Sequence, residues 1–173
     1  LALLPRQGLD SYGGIVATMK RINPNDALEC AEAVSRKVGV FLKGKLRSHK
    51  RINQQTAHDV KLELDDRSQR MIERQLVKAF PEVAILGEEG IVGDPESEWR
   101  WVVDPIDGTV NFSRGLPHAC VSIALQQRLP ESKGHWDDYT TEVGVIYDPF
   151  LDEMWTAKSG GKAKLNGKAI KVS

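Results

Sequence analysis

The stretch Trp101-Val-Val-Asp-Pro-Ile-Asp-Gly-Thr-Val-Asn-Phe112 decides how the rest of the chain is interpreted. It opens with a short run of β-forming residues, which is typical of a buried strand. Asp104 and Asp107 follow, separated only by Pro105 and Ile106. Because proline fixes the local backbone, we expect Ile106 to turn its side chain inward and leave its carbonyl oxygen available as a ligand. An apolar run that leads into two acids, a glycine and a threonine has few purely structural uses, so a functional site is predicted here.

Two other predicted strands also end in acids. An alternating run over residues 59–65 ends at Asp65, and either Asp65 or Asp66 is predicted to cap a following helix. A β-rich run over residues 83–86 is followed by Glu88. If these strands are neighbours of the first, the carboxylates converge at one edge and repel each other unless a cation lies among them. Ligand sets made of oxygen alone favour Mg²⁺, with Mn²⁺ as a possible substitute, over zinc.

Acidic residues at strand ends also occur as solvated turn residues or helix caps. For Asp66 and Glu89, taken singly, this structural interpretation is favoured. His58 and His118 are likewise interpreted as hydrogen-bonded structural residues rather than as ligands. If a helix begins at Gly108, its first amides would point toward a phosphate oxygen.

Two helices are predicted ahead of a set of strands. Asn25 is predicted to cap the first helix, which runs with one apolar face to about Gly44. The second helix follows Asp65 and ends before Pro81, because proline cannot continue a helix. Strands of a largely antiparallel sheet are predicted at 121–125, 143–147 and 154–157, with a surface loop at 130–140 and a hairpin turn at Asn166-Gly167. This order indicates an α+β fold.

Composition excludes several classes of protein. The 24 Lys and Arg residues balance 24 Asp and Glu residues in the 173-residue chain, so no overall field attracts nucleic acid or an anionic membrane. Cys30 and Cys120 are far apart and fit neither a disulfide framework nor a zinc site. No apolar stretch approaches the roughly 18 residues that span a bilayer. We therefore expect a cytoplasmic protein, or an organellar one after removal of a targeting segment.

The chain divides into two parts by composition. Residues 1–24 contain several glycines and two prolines with little periodicity, and are predicted to be a flexible lead-in. Residues 25–173 form the predicted metal-binding domain. Because the chain begins at Leu1 and stops directly after a strand-like run, we expect it to be a fragment of a longer protein.

Residues 101–112 resemble the signature of the inositol monophosphatase family, which is a family of Mg²⁺-dependent, lithium-sensitive-type phosphatases. Further matches follow in order at 80–81, 86–90, 117–122, 144–149, 160–167 and 172–173. The resemblance covers about residues 26–173. It implies a layered αβαβα sugar-phosphatase-type fold, of which this chain is the amino-terminal half: two helices packed on an antiparallel sheet, with the carboxy-terminal half missing.

The resemblance also implies a metal site. Glu88, Asp104 and the carbonyl of Ile106 would hold a first Mg²⁺ ion. Asp104 and Asp107 would contribute to a second ion, with Asp104 bridging the two. An aspartate from the missing half would complete the second site.

The same resemblance implies how water would be activated. Thr109 would orient a water molecule for in-line attack on phosphorus, and Asp65 would accept its hydrogen bond or proton. The residues implied to bind substrate are Glu88, Asp107, Gly108 and Thr109.

The chain departs from the family pattern in its amino-terminal strands. Asp59 and Asp65 keep the usual spacing, but the threonine that usually stands between them is lost. Gln54 stands where many members carry a lysine near the attacking water. The electrostatic contribution of that lysine is therefore absent.

The implied reaction is hydrolysis of a phosphate monoester, with myo-inositol monophosphate as the leading substrate. Related phosphatases of histidinol phosphate, fructose 1,6-bisphosphate or 3′-phosphoadenosine nucleotides share much of this half. The alternative from a different class is an inactive, truncated metal-binding module. The expected partner is a small phosphorylated metabolite, and the family resemblance also allows a homodimer.

Overall fold

The computed structural model describes residues 21–48, 52–55, 60–88, 90–130 and 138–171, with only the backbone at 52–55 and 60–62. Three helices and ten strands occur within these residues. In chain order they are α1 (Pro24–Lys45), β1 (Ile52–Gln55), β2 (Val60–Leu62), α2 (Glu63–Ala79), β3 (Ala84–Gly87), β4 (Gly90–Val92), β5 (Trp99–Asp107), α3 (Thr109–Ser113), β6 (Cys120–Arg128), β7 (Tyr139–Asp148), β8 (Glu153–Lys158), β9 (Lys164–Leu165) and β10 (Lys168–Ala169).

Helix α1 starts slightly earlier than predicted. Its N-cap is Asn23, whose side chain accepts a 2.9 Å hydrogen bond from the backbone N–H of Asn25. The prediction of Asn25 as the cap is therefore wrong. Pro24 explains the difference, because proline fits the first helical position, where no N–H donor is needed, and leaves the preceding asparagine to cap. The predicted lead-in falls largely outside the described residues.

Helix α2 also begins earlier than predicted. Strand β2 ends at Leu62 and the helix starts at Glu63, so Asp65 and Asp66 lie in the first helical turn instead of capping it. The predicted strand over residues 59–65 was therefore too long. The helix starts earlier because the buried Leu64 belongs to its apolar face. Carboxylates in the first turn are also favoured by the helix dipole. The helix ends before Pro81, as predicted.

Eight of the strands form one sheet in the order β10-β9-β8-β7-β6-β5-β3-β4, and β1 and β2 form a separate antiparallel pair. Every pairing in the large sheet is antiparallel except that of β3 with β5, which is parallel. Helix α1 packs on β6, β7 and β8, while α2 packs on β5. The described part is thus α+β, with two long helices on a largely antiparallel sheet, as predicted.

One face of the sheet is buried beneath the helices and the other is open. The core between helices and sheet contains fully buried large side chains, among them Leu42, Ile72, Leu76, Trp101, Ile123 and Leu125. Side chains on the opposite face include Ser122, Ala124, Trp155 and Ile146, which line a shallow cavity of about 280 Å³. Ile146 is 44% exposed there.

The predicted turn at Asn166-Gly167 is confirmed. Both residues have positive φ, 48° and 78°, as a two-residue hairpin loop between β9 and β10 requires. The predicted surface loop at 130–140 was too long, because Tyr139 and Thr140 already belong to β7, and residues 131–137 lie outside the described part. None of the described helices is long and apolar enough to cross a membrane.

Candidate active site

The centre of the site is a bulge in strand β5. Asp104 pairs with Ser122 and Asp107 pairs with Cys120, so three steps along β5 oppose two along β6. A bulge leaves the residues between the two pairs free of the strand ladder. Pro105 has no N–H to contribute, and the sequence therefore folds here without losing a ladder hydrogen bond from that position.

At the bulge, the backbone N–H and the carbonyl of Ile106 both form hydrogen bonds with side chains. Its N–H donates to Oδ1 of Asp104 at 3.1 Å, and its carbonyl accepts the hydroxyl of Thr109 at 2.7 Å. Its side chain is 1% exposed and anchors the bulge in the core, as predicted. A carbonyl oxygen has two lone pairs, so the Ile106 carbonyl keeps one for a further partner.

Asp104 and Asp107 are close enough to interact electrostatically. The pKa of Asp104 is raised, first by burial and then by the negative charge of Asp107, while the hydrogen bond from Ile106 acts in the opposite direction. Two like charges crowded at a bulge are the condition that a bound cation relieves. The structure thus brings together the two acids on which the sequence argument placed most weight.

Gly108 shapes the turn between β5 and α3. Its φ of 98° is left-handed, and a Cβ added there would lie 2.8 Å from the carbonyl oxygen of His118. Only glycine fits this backbone without strain. The predicted helix after Gly108 is present, but α3 spans only five residues, so its dipole contributes little to binding an anion.

Asp65 and Thr109 lie on two helices, α2 and α3, that both contact β2. Asp65 is 2% exposed in the first turn of α2, directly after β2, and α3 packs against β2. Because the Thr109 hydroxyl donates to Ile106, its oxygen lone pairs remain free to accept a hydrogen bond. The predicted role of Thr109 in orienting a water molecule stays a prediction.

Glu88 follows the carboxyl end of β3. In the parallel pairing Ala84 lies beside Arg100 and Leu86 beside Val102, and Glu88 lies beyond this pairing, in the turn that joins β3 to β4. Glu88 is exposed. Within the described residues, no three His, Cys, Asp or Glu side chains group closely enough to hold a metal ion, so the predicted ligand set stays a prediction.

A cleft of about 290 Å³ opens beside Asp107 and includes residues that the sequence argument missed. Asp148 lies at the end of β7, and Oδ1 of its carboxylate accepts the backbone N–H groups of Phe150 and Leu151. The thiol of Cys120 lies 3.7 Å from Oδ2 of Asp107, and burial together with that carboxylate raises the thiol's pKa to about 12. No local sequence signal marks these residues, because strand pairing alone brings them to this edge.

A second residue of the cleft, Asn111, fastens α3 to the start of β6. The side-chain amide of Asn111 donates to the backbone carbonyl of His118 at 3.2 Å, and the backbone carbonyl of Asn111 accepts the N–H of Leu116 at 3.0 Å. His118 itself is exposed in the cleft. His58 and Asp59 fall outside the described residues, and for Gln54 only the backbone is described.

The donor chemistry at the bulge fits a hard divalent cation. Asp104, Asp107 and the Ile106 carbonyl offer only oxygen atoms, and Glu88 would add another carboxylate. The raised pKa of Asp104 shows that negative charge there is unfavourable without a counter-charge. Burial and the neighbouring carboxylates raise the pKa of the Cys120 thiol to about 12, which disfavours the thiolate that a metal ligand requires.

Comparison with known proteins assigns this architecture. The sequence profile of the inositol monophosphatase family matches residues 23–173. The chain belongs to the inositol monophosphatase family. Members of this family are phosphatases that act on small phosphorylated substrates and are generally metal-dependent.

Two relatives illustrate the sequence match. The Nus factor SuhB of Pasteurella multocida is 37% identical over 151 residues, which cover 86% of this chain and 53% of that protein. The inositol-1-monophosphatase of Rhizobium meliloti is 39% identical over 109 residues, which cover 62% of this chain and 37% of that protein. The chain thus spans about half the length, or less, of these curated relatives.

Solved structures show the same partial match. The IMPase of Thermotoga maritima superimposes with a TM-score of 0.73 at 34% identity, covering 86% of this chain and 54% of that one. The extragenic suppressor protein SuhB of Bartonella henselae gives a TM-score of 0.71 at 33% identity, covering 85% of this chain and 54% of that one. The described fold therefore corresponds to part of the family fold.

Proposed function

We propose that the protein containing this chain is a Mg²⁺-dependent phosphoric monoester hydrolase that converts myo-inositol monophosphate to inositol and phosphate. The observation that carries the proposal is the β5 bulge. Asp104, the Ile106 carbonyl, Asp107 and Thr109 all lie at this bulge or directly after it, within residues 104–109. Membership of a phosphatase family supports it. Mn²⁺ is expected to substitute for Mg²⁺, because both prefer oxygen ligands.

In this proposal each residue has one task. Glu88, Asp104, Asp107 and the Ile106 carbonyl would hold the cations, which when bound would lower the pKa of a water molecule and neutralise charge on the phosphate oxygens. Thr109 donates to Ile106 and accepts a hydrogen bond from the attacking water, which fixes its direction for in-line displacement. Asp65 takes up the proton, and Gly108 lets the backbone approach the phosphate closely.

The proposal is tested by measuring inorganic phosphate release from the full-length protein with Mg²⁺ and with EDTA. The substrates are myo-inositol 1-phosphate, histidinol phosphate, fructose 1,6-bisphosphate and 3′-phosphoadenosine 5′-phosphate. We expect Mg²⁺-dependent turnover with the highest kcat/KM for myo-inositol 1-phosphate. A higher kcat/KM for another substrate would move the protein to a related phosphatase, and no turnover of any of them would refute the proposal.

The names of the relatives favour a second candidate function. The relatives from Pasteurella multocida, Vibrio cholerae and Pseudomonas aeruginosa, at 33–41% identity, are named Nus factor SuhB. A Nus factor role need not use the carboxylates at the bulge. In a bacterial strain that lacks its own SuhB, rescue of growth by the Asp104→Asn form as fully as by wild type would favour this non-catalytic function.

A further inference from the structure

Gln69 of α2 is a buried polar residue that contacts the backbone just before Glu88. It is 3% exposed. A Cβ built on Gly87 would lie 2.6 Å from Cδ and Nε2 of Gln69 and 2.7 Å from Oε1. All three terminal atoms of Gln69 therefore pack directly against Gly87, and a side chain at position 87 would require the Gln69 carboxamide to move.

The carboxamide of Gln69 is held in one orientation. Its Nε2 donates to Oε1 of Glu73, one helical turn further on, at 2.8 Å. A buried amide is costly unless it is hydrogen-bonded, and a bond to a carboxylate is stronger than one to a neutral acceptor. Glu73 also lines a polar cavity of about 340 Å³ with Asp66, Arg70 and Val92, between α2 and the β3–β4 hairpin. The contact therefore joins the helix to the turn end of this hairpin.

The position of this contact matters for Glu88. Gly87 is the last residue of β3, and its peptide bond leads directly to Glu88, the first residue of the turn to β4. Any shift of the Gln69 carboxamide would move the backbone from which the Glu88 side chain projects. Displacements of about 1 Å are enough to impair a metal or catalytic site.

We propose that Gln69 is a positioning residue, which fixes the direction of Glu88 toward the divalent cation through its contact with Gly87. This inference rests on the proposed function of the bulge and of Glu88. The residue acts on cation binding and touches neither substrate nor cation. Residues that orient a metal ligand in this way typically change metal affinity 10–100-fold when they are replaced.

The test compares Gln69→Ala with Gln75→Ala in the full-length protein. Gln75 lies on the same helix, is half-buried, and donates through Nε2 to the carbonyl of Met71 at 3.4 Å. The readouts are the Mg²⁺ dissociation constant from calorimetry and the Mg²⁺ concentration that gives half-maximal phosphate release. We expect Gln69→Ala to raise both by about tenfold, with most of kcat recovered at saturating Mg²⁺, and Gln75→Ala to change neither.

Two further variants keep the test decisive if Gln69→Ala does not fold. Gln69→Met keeps the side-chain length but cannot donate to Glu73, and Gly87→Ala breaks the same contact from the other side. Each should raise the Mg²⁺ dissociation constant at least about threefold. Wild-type Mg²⁺ affinity in all folded variants would overturn the inference. Failure of the wild type to bind Mg²⁺ or to release phosphate would instead refute the proposed function.

Discussion

Strands β5 and β6 carry charged residues at both ends, but the two ends are arranged differently. At the end where β5 begins, Arg128 donates through Nε to the hydroxyl of Tyr139 at 3.0 Å and pairs with Glu96 at 2.7 Å. Arg100 stacks on the ring of Tyr139 at 3.6 Å from its centroid, and the Tyr139 hydroxyl donates to the carbonyl of Ser97 at 3.2 Å. Arg100 and Arg128 repel each other there, but the Glu96 carboxylate and the ring and hydroxyl of Tyr139 offset this repulsion.

At the end where β5 stops, charges of the same sign crowd together. Asp104 and Asp107 repel, and burial raises the pKa of Asp104 further. Asp148 lines the cleft with Asp107, and all three carboxylates lie near enough to Cys120 to raise the pKa of its thiol. The difference teaches that charge alone does not mark a functional site. Where β5 begins, the charged groups have partners within the chain and stabilise the fold. Where β5 stops, the carboxylates repel each other, and a cation from outside the chain is expected to bind there.

The largest effect on activity is expected when a carboxylate is removed at the end where β5 stops. Asp104→Asn in the full-length protein should lower Mg²⁺-dependent kcat at least about 10²–10³-fold, because Asp104 is proposed to bridge two cations. The matched control is Glu96→Gln at the opposite end, which should leave kcat unchanged. Activity of Asp104→Asn within about threefold of wild type would refute the site assignment.

A second comparison uses two glycines with positive φ. Gly108→Ala introduces a left-handed strain of about 1–3 kcal/mol and a contact with the carbonyl of His118. It should therefore lower both the free energy of unfolding in urea and, by about tenfold or more, the activity. Gly167 has a φ of 78° with nothing within 4 Å of an added Cβ, so Gly167→Ala should lower stability alone. Equal activity losses in the two variants would contradict the special role of the β5–α3 turn.

A third prediction concerns the end of the sheet where β5 begins. Tyr139→Phe removes a hydroxyl that bonds both Arg128 and Ser97, and should lower the free energy of unfolding by about 1–2 kcal/mol. Urea denaturation followed by circular dichroism measures this loss. The kcat of the folded variant should equal that of wild type. A large fall in kcat without loss of stability would show that the two ends are coupled.

The smallest effect is on the metal-free protein. A carboxyl whose folded pKa is raised destabilises the fold above its ordinary pKa of 3.8, since the unfolded chain releases that proton more readily. Asp104→Asn should therefore raise Tm in EDTA at pH 7 by a few degrees at most, and the gain should vanish below about pH 3.8. A lowered Tm at pH 7 would show that Asp104 stabilises the fold without any cation.

Much of the fold was accessible from the sequence because it depends on local patterns. The apolar run before Asp104 became β5, the pair at Asn166-Gly167 became a hairpin turn, and Pro81 follows the end of α2. Helix starts were harder to place. Asn25 was predicted to cap α1, but the cap is Asn23, because Pro24 takes the first helical position.

The site was accessible only in part. The prediction succeeded where the residues form one short motif, since residues 104–109 include Asp104, Ile106, Asp107 and Thr109. The contact of Gln69 with Gly87 and the presence of Asp148 in the cleft could not be predicted, because they depend on how distant elements pack. Such contacts leave no periodicity or spacing in a single sequence.

The central claim is that the end of β5 binds a divalent cation, and calorimetric titration of the metal-free, full-length protein with Mg²⁺ tests it most directly. Wild type is compared with the Asp104→Asn, Asp107→Asn double variant at the same pH. We predict saturable binding by wild type and at least about tenfold weaker binding by the double variant. Indistinguishable Mg²⁺ affinities in the two proteins would contradict the claim.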